Sequence, residues 1–315
     1  MILVGALEVL ASDWIIQGDS RWVLADREKG LQILGTRDEF IRQLSPFDRA
    51  ARLDSDAPVD EARLLSFIEA QALEWSTAEV DRMRESTAEI ARSLSRWKLP
   101  FPKQIHLVKS SGLEEAHAAY TRGESVILPV AKLNIPRGAL ERLLLHELFH
   151  VLSRANPKMR DELYGAIGFK KSAPLEPPPS YRSRQMTNPD APVIEHWIAV
   201  EHQGTTVKVM PSLIARTETY SRARGWGFFE YLDFKLWVMD ESGGQWKAKM
   251  LEDQPVRLSP EQVSGYFEQI GRNTRYIIHP EEILADQFVM LIQGANKPAS
   301  PEALRKMEMI LRRHP

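Results

Sequence analysis

Two histidines four residues apart, with a glutamate beside the first, stand at His146-Glu147-Leu148-Phe149-His150. On a helix, positions four apart lie one above the other on the same face. His146 and His150 can therefore present two imidazoles to one metal ion. Glu147, one step round, can act on a metal-bound water without being a ligand itself. The chemistry this pattern suits is metal-assisted hydrolysis. A catalytic cation lowers the pKa of water and polarises a carbonyl, and the carboxylate moves a proton from the water to the leaving group.

The neighbours of the motif are apolar: Leu143, Leu144, Leu145, Leu148, Phe149, Val151 and Leu152. The helix is expected to be buried nearly all round. Burying two imidazoles and a carboxylate there is costly unless they are satisfied, and a divalent cation would satisfy all three. The plain alternative is a core helix with two hydrogen-bonded histidines.

Catalytic zinc usually takes three protein ligands and keeps one position open. The chain has no cysteine, so the third donor must be His, Asp or Glu. The extended pattern H-E-x-x-H-x-x-G-x-x-H fails here, because Ser153 and Asn156 stand at its Gly and last His positions. Glu282-Ile283-Leu284-Ala285-Asp286 offers two carboxylates on one helical face. One can bind the metal and the other can accept the ring N–H of a ligating histidine. Glu282 is preferred to Glu281 because Asp286 follows it by one turn, whereas Ala285 follows Glu281. Glu281, about 100° round the helix, is expected to face solvent.

With these two motifs the chain resembles the gluzincins, the thermolysin-like zinc metallopeptidases, and also uncharacterised bacterial proteins carrying the same pair. The resemblance implies that His146, His150 and Glu282 bind Zn2+, that Glu147 is general base and acid, and that Asp286 orients His146. It implies a peptide or protein substrate, and a zincin-like α+β fold. In that fold a small twisted sheet with an edge strand lies by the metal helix, and a helical C-terminal part supplies the third ligand. Ala118, Ala119, Tyr120 and Thr121 resemble the edge strand that holds an extended substrate. Tyr276, His279 and Tyr220 are the candidates for the residue that stabilises the transition state. Two rivals stay open: a zinc-containing binding or regulatory protein without turnover, and a zinc hydrolase of a non-peptide amide.

The elements that must position these residues can be read in outline. Residues 1–57 read as an α/β segment, with strand character at Asp13–Gln17 and Arg21–Leu24, a short apolar run at Leu31–Leu34, and a Thr-capped helix at Thr36–Gln43. Residues 58–173 form the zincin-like part. Helices are expected at Val59–Trp75 and at about Thr77–Trp97, where Val80, Met83, Thr87, Ile90 and Leu94 recur at steps of three and four. Strands follow at Gln104–Lys109, Ala116–Thr121 and Ser125–Val130, then the metal helix. Lys170–Pro192 is rich in proline and reads as a loop. Residues 174–254 are expected to be a mainly β insertion, with a hairpin around Gln203-Gly204. Residues 255–315 read as helical, with Pro280 opening the helix that carries Glu282. His106, His117, His196 and His202 are expected to be structural.

Composition sets limits on the partners. The formal net charge is −2, which gives no general basic field for nucleic acid. No apolar run approaches the roughly 18 residues of a membrane span. Met1–Leu10 lacks a basic n-region, and Glu8 and Asp13 break up the apolar character of this end of the chain. It is expected to be a strand or short helix rather than a signal peptide. A cytoplasmic location is the default expectation.

Overall fold

The computed structural model describes residues 14–242 and 245–315. The expectation for Met1–Leu10 lies outside these residues. The first sheet consists of β1 (Ile15–Gln17), β2 (Ser20–Leu24), β3 (Gln104–Ser110), β4 (Tyr120–Arg122) and β5 (Ser125–Pro129), in the order β1-β2-β3-β5-β4. Strands β2, β3 and β5 run parallel, while β1 and β4 are antiparallel to their neighbours. Parallel strands need long crossovers. Between β2 and β3 the chain builds α1 (Arg27–Leu34), α2 (Glu39–Gln43), α3 (Pro46–Arg52), α4 (Glu61–Glu69) and α5 (Thr77–Leu94).

The sheet is covered on both faces, which is why its strands read as nearly continuous apolar runs. Ile105, Leu107, Val126 and Leu128 enter one core with Met83 and Ile90 of α5 and Leu144 and Leu148 of the helix that carries His146. Val108, Ile127 and Tyr120 enter the other, with Leu34, Leu64 and Ile68.

Side-chain caps set the helix boundaries, and several differ from those read in the sequence. Leu31–Leu34 is the end of α1, whose first turn is capped by Asp26. Thr36 does not open a helix: its hydroxyl donates to the Gln32 carbonyl at 2.9 Å, and Asp38 caps the shorter α2. Asp60 starts α4, which ends at Glu69 rather than near Trp75. Ser76 and Glu79 form a reciprocal capping box on α5. Ala116 and His117 are not in a strand. Both have positive φ, 49° and 62°, and they turn the chain into β4.

The helix that carries His146 and His150 is α6 (Arg137–Ala155), and α7 (Pro157–Ala166) follows it. The second sheet begins at β6 (Phe169–Lys171), earlier than the expected insertion boundary. After the short helix α8 (Pro179–Arg182) it continues with β7 (His196–His202), β8 (Thr205–Ala215), β9 (Leu232–Ser242) and β10 (Gln245–Ala248), all antiparallel. Gln203 and Gly204 close the β7–β8 hairpin with φ of 49° and 76°, as a two-residue turn between right-twisted strands requires. Ile198, Val200 and Val209 join this sheet to the main core. The C-terminal part comprises α9 (Tyr266–Ile270), α10 (Pro280–Gln293) and α11 (Pro301–Arg313). The architecture is mixed α and β. Among the described residues, no helix is long and apolar enough to cross a membrane.

Candidate metal centre

Helices α6 and α10 pack together. Phe149 meets Phe288 with ring centroids 5.5 Å apart, and Leu145, Leu148, Ile283 and Ala285 are buried in the same core. This contact fixes the rotation of both helices, so the remaining faces bring histidines opposite carboxylates. Pro280 opens α10, and the Nδ1 atom of His279 accepts a hydrogen bond from the Glu281 backbone N–H at 3.1 Å.

His146, His150 and Glu282 converge as one group that could hold a metal ion. Glu282 Oε2 lies 3.1 Å from His146 Nε2 and 3.6 Å from His150 Nε2. Metal–donor bonds of 2.0–2.2 Å in tetrahedral geometry put neighbouring donors about 3.4 Å apart. The spacing therefore suits a small divalent cation. So does the state of the site: the donor atom His150 Nε2, and one carboxylate oxygen of the neighbouring Glu147, are buried without a hydrogen-bond partner. Such orphaned buried atoms are costly unless something satisfies them.

The Nδ1 atom of each histidine is occupied from behind. His146 Nδ1 lies 3.1 Å from Asp286 Oδ1, and His150 Nδ1 lies 3.1 Å from Glu281 Oε1. Thr274 donates its hydroxyl to the other Asp286 oxygen. Glu281 also accepts from Ser153 Oγ at 2.7 Å and from the Tyr164 hydroxyl. The expectation that Glu281 faces solvent is thus corrected. It is 2% exposed, because α10 packs closely enough on α6 and α7 to bury both carboxylates of its first turn.

The electrostatics follow from this burial. Burial alone would lower the His146 pKa, but Asp286 and Glu282 outweigh it and hold it up at about 10. Burial would raise Glu282, yet His150 and His146 keep it well below the ordinary carboxylate value. Glu147 is pushed up to about 8, first by burial and then by the Asp190 carboxylate. A cation among these groups would favour the ionised carboxylates and the neutral imidazoles.

A cleft of about 410 Å³ opens over the cluster, lined among others by Ala118, Ala119, Leu143, His146, Glu147 and Tyr276. The Tyr276 ring lies nearly parallel to that of His146, with centroids 6.2 Å apart. Tyr276 is the only one of the three transition-state candidates that lines this cleft. His279 is a helix cap facing other cavities, and burial lowers its pKa to about 3. Tyr220 donates its hydroxyl to Asp54 and packs on Phe47 and Tyr231, away from the centre. Among the described residues, strand β4 lies at the edge of the first sheet and pairs with β5. Ala118 and Ala119 lead into it, and Tyr120 and Thr121 belong to it. Among the described residues, His106, His117, His196 and His202 join no metal-holding group.

Two residues of the site, Asn188 and Asp190, left no mark in the sequence reading, and Glu281 was weighed there but assigned to the solvent face. Asn188 Nδ2 donates to Glu282 Oε1 at 2.5 Å, and Asp190 clusters with Glu147 and His150. Glu281 could have been found by asking what holds the Nδ1 of His150, since every ligating histidine needs such a partner. Asn188 and Asp190 lie in a proline-rich loop without periodicity and left no signal. No protein-family model matches the chain, and no curated protein or solved structure matches it either.

Proposed function

We propose that this protein is a zinc-dependent hydrolase and that its substrates are peptides. The observation that carries the reading is the convergence of His146, His150 and Glu282 from two helices, with the buried Glu147 carboxylate beside them, outside this donor set but grouped with His150 and Asp190 in a second cluster. Two imidazoles and one carboxylate are a donor set suited to catalytic zinc. Supporting a zincin-like arrangement are the metal helix packed under a mixed sheet and the antiparallel edge strand next to the cleft.

In this reading His146, His150 and Glu282 would hold the ion, with Asp286 and Glu281 fixing the ring tautomers. When bound, zinc supplies Lewis acidity, lowering the pKa of water and polarising the scissile carbonyl. Glu147 accepts a proton as water attacks the carbonyl carbon, and returns it to the amine nitrogen as the C–N bond breaks. The burial of Glu147 raises its pKa, which strengthens it as the base for that transfer. A mixed peptide library, incubated with protein of known zinc content and then with a chelator present, tests the reading. Chelator-sensitive cleavage with about one zinc per chain is expected. Zinc-loaded protein that cleaves no peptide would overturn the peptidase assignment.

A further inference from the structure

The outer edge of β4 is where an extended substrate would pair, and one of its donors is already taken. The Thr121 backbone N–H donates to Asp190 Oδ1 at 2.8 Å, and the Thr121 hydroxyl donates to the same oxygen at 2.6 Å. Two residues earlier, Asn188 reaches Glu282 at 2.5 Å. The Asp190 carboxylate also lies within 4.8 Å of donor atoms of both Glu147 and His150. One short segment therefore hydrogen-bonds to the edge strand and to the third donor and comes close to the general base.

We propose that Asn188-Pro189-Asp190 is a built-in strap occupying the substrate's place across the centre, which must swing out before a peptide can pair with β4. The proposal rests on the hydrolase reading above. The strap is made to act as one unit. Asn188 Oδ1 accepts from the Asp190 N–H at 3.0 Å, and the Ala191 N–H donates to the Asn188 carbonyl at 3.2 Å.

Its hinge side is anchored elsewhere. The Thr187 N–H donates to Asp48 at 2.9 Å, and its carbonyl accepts from Arg52 at 3.0 Å, both from buried side chains of α3. Beyond that anchor the character changes. Residues 188–193 are all half-buried, and none is part of a hydrophobic core. Apart from the Thr121 and Glu282 contacts, the hydrogen bond that ties residues 188–190 to the body runs from Arg154 Nη2 to the Asp190 carbonyl at 3.2 Å. Polar contacts of this kind exchange readily with water, and segments with few buried apolar contacts open at low free energy.

A closed strap lowers the apparent affinity of any ligand in proportion to the open fraction. If one molecule in about ten is open, removing the strap's hold tightens binding about tenfold. The probe is N-acetyl-dialanine hydroxamate, titrated calorimetrically into zinc-loaded wild type, Asp190→Ala and Asp190→Asn, with zinc measured in each. Asp190→Ala is expected to bind at least about tenfold more tightly. Asp190→Asn keeps an oxygen that can accept from Thr121, and is expected to stay close to wild type. In the wild type, saturating hydroxamate is expected to speed hydrogen exchange at the amides of residues 188–193, with the anchored Thr187 amide unchanged. Unchanged or weaker binding by Asp190→Ala, or an Asn variant that tightens as far as the Ala variant, overturns the strap. So does slower exchange of residues 188–193 with ligand bound, which would make the segment part of the substrate site. If Asp190→Ala does not fold, the wild-type exchange result decides alone. Absence of zinc from all three proteins overturns the metal centre, and the strap with it.

Discussion

His150 Nδ1 lies 3.1 Å from Glu281 Oε1, deep between α6 and α10. This pairing repeats, one turn along α6, the relation of His146 Nδ1 to Asp286. Both imidazoles are thereby held with Nε2 toward Glu282. Glu281 does more than orient a ring, because it also ties Ser153 and Tyr164 into the same buried network.

Glu281→Ala is expected to weaken zinc binding by about 10–100-fold, the usual effect of losing a partner that orients a ligand. It should also destabilise the metal-free fold. His150, Ser153 and Tyr164 would each lose a buried partner, at about 1–3 kcal/mol apiece. Zinc titration and urea unfolding of the metal-free protein measure the two effects separately. A variant with wild-type zinc affinity and stability would mean that the network is incidental.

Glu282→Ala is expected to abolish stoichiometric zinc, since it removes the donor that faces both Nε2 atoms. Asp286→Ala leaves all three donors and should weaken affinity by only about 10–100-fold. Competition titrations against a chelator rank the two. Asp286→Ala losing zinc while Glu282→Ala keeps it would reverse the assignment of their roles.

Glu147→Gln is expected to keep both fold and zinc but lose hydrolysis, because an amide cannot serve as a base at neutral pH. The side chain is 3% exposed and one of its oxygens has no partner, so the isosteric change breaks no hydrogen bond to that oxygen. Single-turnover cleavage at saturating enzyme is the measurement. Wild-type turnover by this variant would remove Glu147 from the mechanism.

How much of the fold and site was legible depends on what each residue signals. The metal helix and α10 announced themselves, because His146, Glu147, His150, Glu282 and Asp286 are polar residues at helical spacing within apolar surroundings. The burial of Glu281 was hidden, since it depends on how closely α10 packs on α6 and α7, which one helix's periodicity cannot show. Thr36 and Asp38 are both good caps, and local sequence did not decide between them. Asn188 and Asp190 reach the centre through a loop whose path is set by the distant Arg52–Asp48 pair, a long-range contact with no local pattern. The Gln203-Gly204 hairpin was readable because turn type is dictated directly by residue type.

Stability should fall in mildly acidic solution through His196. Burial above all lowers its pKa to about 4 from 6.5, so it is neutral in the fold and charged in the unfolded chain below about pH 6.5. The unfolded state then binds more protons, so this stability is complete above the unfolded pKa and is lost as pH falls toward 4. His279, lowered to about 3, adds an effect of the same sign. His196→Phe keeps a ring against Tyr164, whose centroid is 4.6 Å away, but cannot take a proton. Urea unfolding at about pH 7.5 and about pH 4.5 should show the metal-free variant losing about 2–3 kcal/mol less than wild type. Equal losses would place the acid sensitivity elsewhere.

Tyr276 is expected to stabilise the oxyanion that forms when water attacks the carbonyl. Of the three candidates named from the sequence, it alone lines the cleft with His146 and Glu147. Its ring lies nearly parallel to that of His146, at 19°. The fold holds its backbone in place, with the Tyr276 N–H donating to Thr274 Oγ1 at 2.9 Å and Thr274 in turn bonded to Asp286. The same chain of contacts that holds the His146 ring therefore also positions the tyrosine. The residue is 43% exposed, but partial desolvation, with the Glu282, Asp190 and Glu147 carboxylates nearby, shifts its pKa upward from the ordinary value of 10. A tyrosine hydroxyl is protonated at neutral pH and can donate a hydrogen bond to developing negative charge. Removing one such donor typically costs about 10²–10³ in kcat. Tyr276→Phe keeps the ring over His146 and deletes only the hydroxyl. The variant should retain zinc and bind substrate nearly as before, with the loss confined to kcat. A change in KM alone would make Tyr276 a wall of the cleft, and zinc loss would make it a support for His146. Steady-state kinetics with a matched zinc assay separates these outcomes.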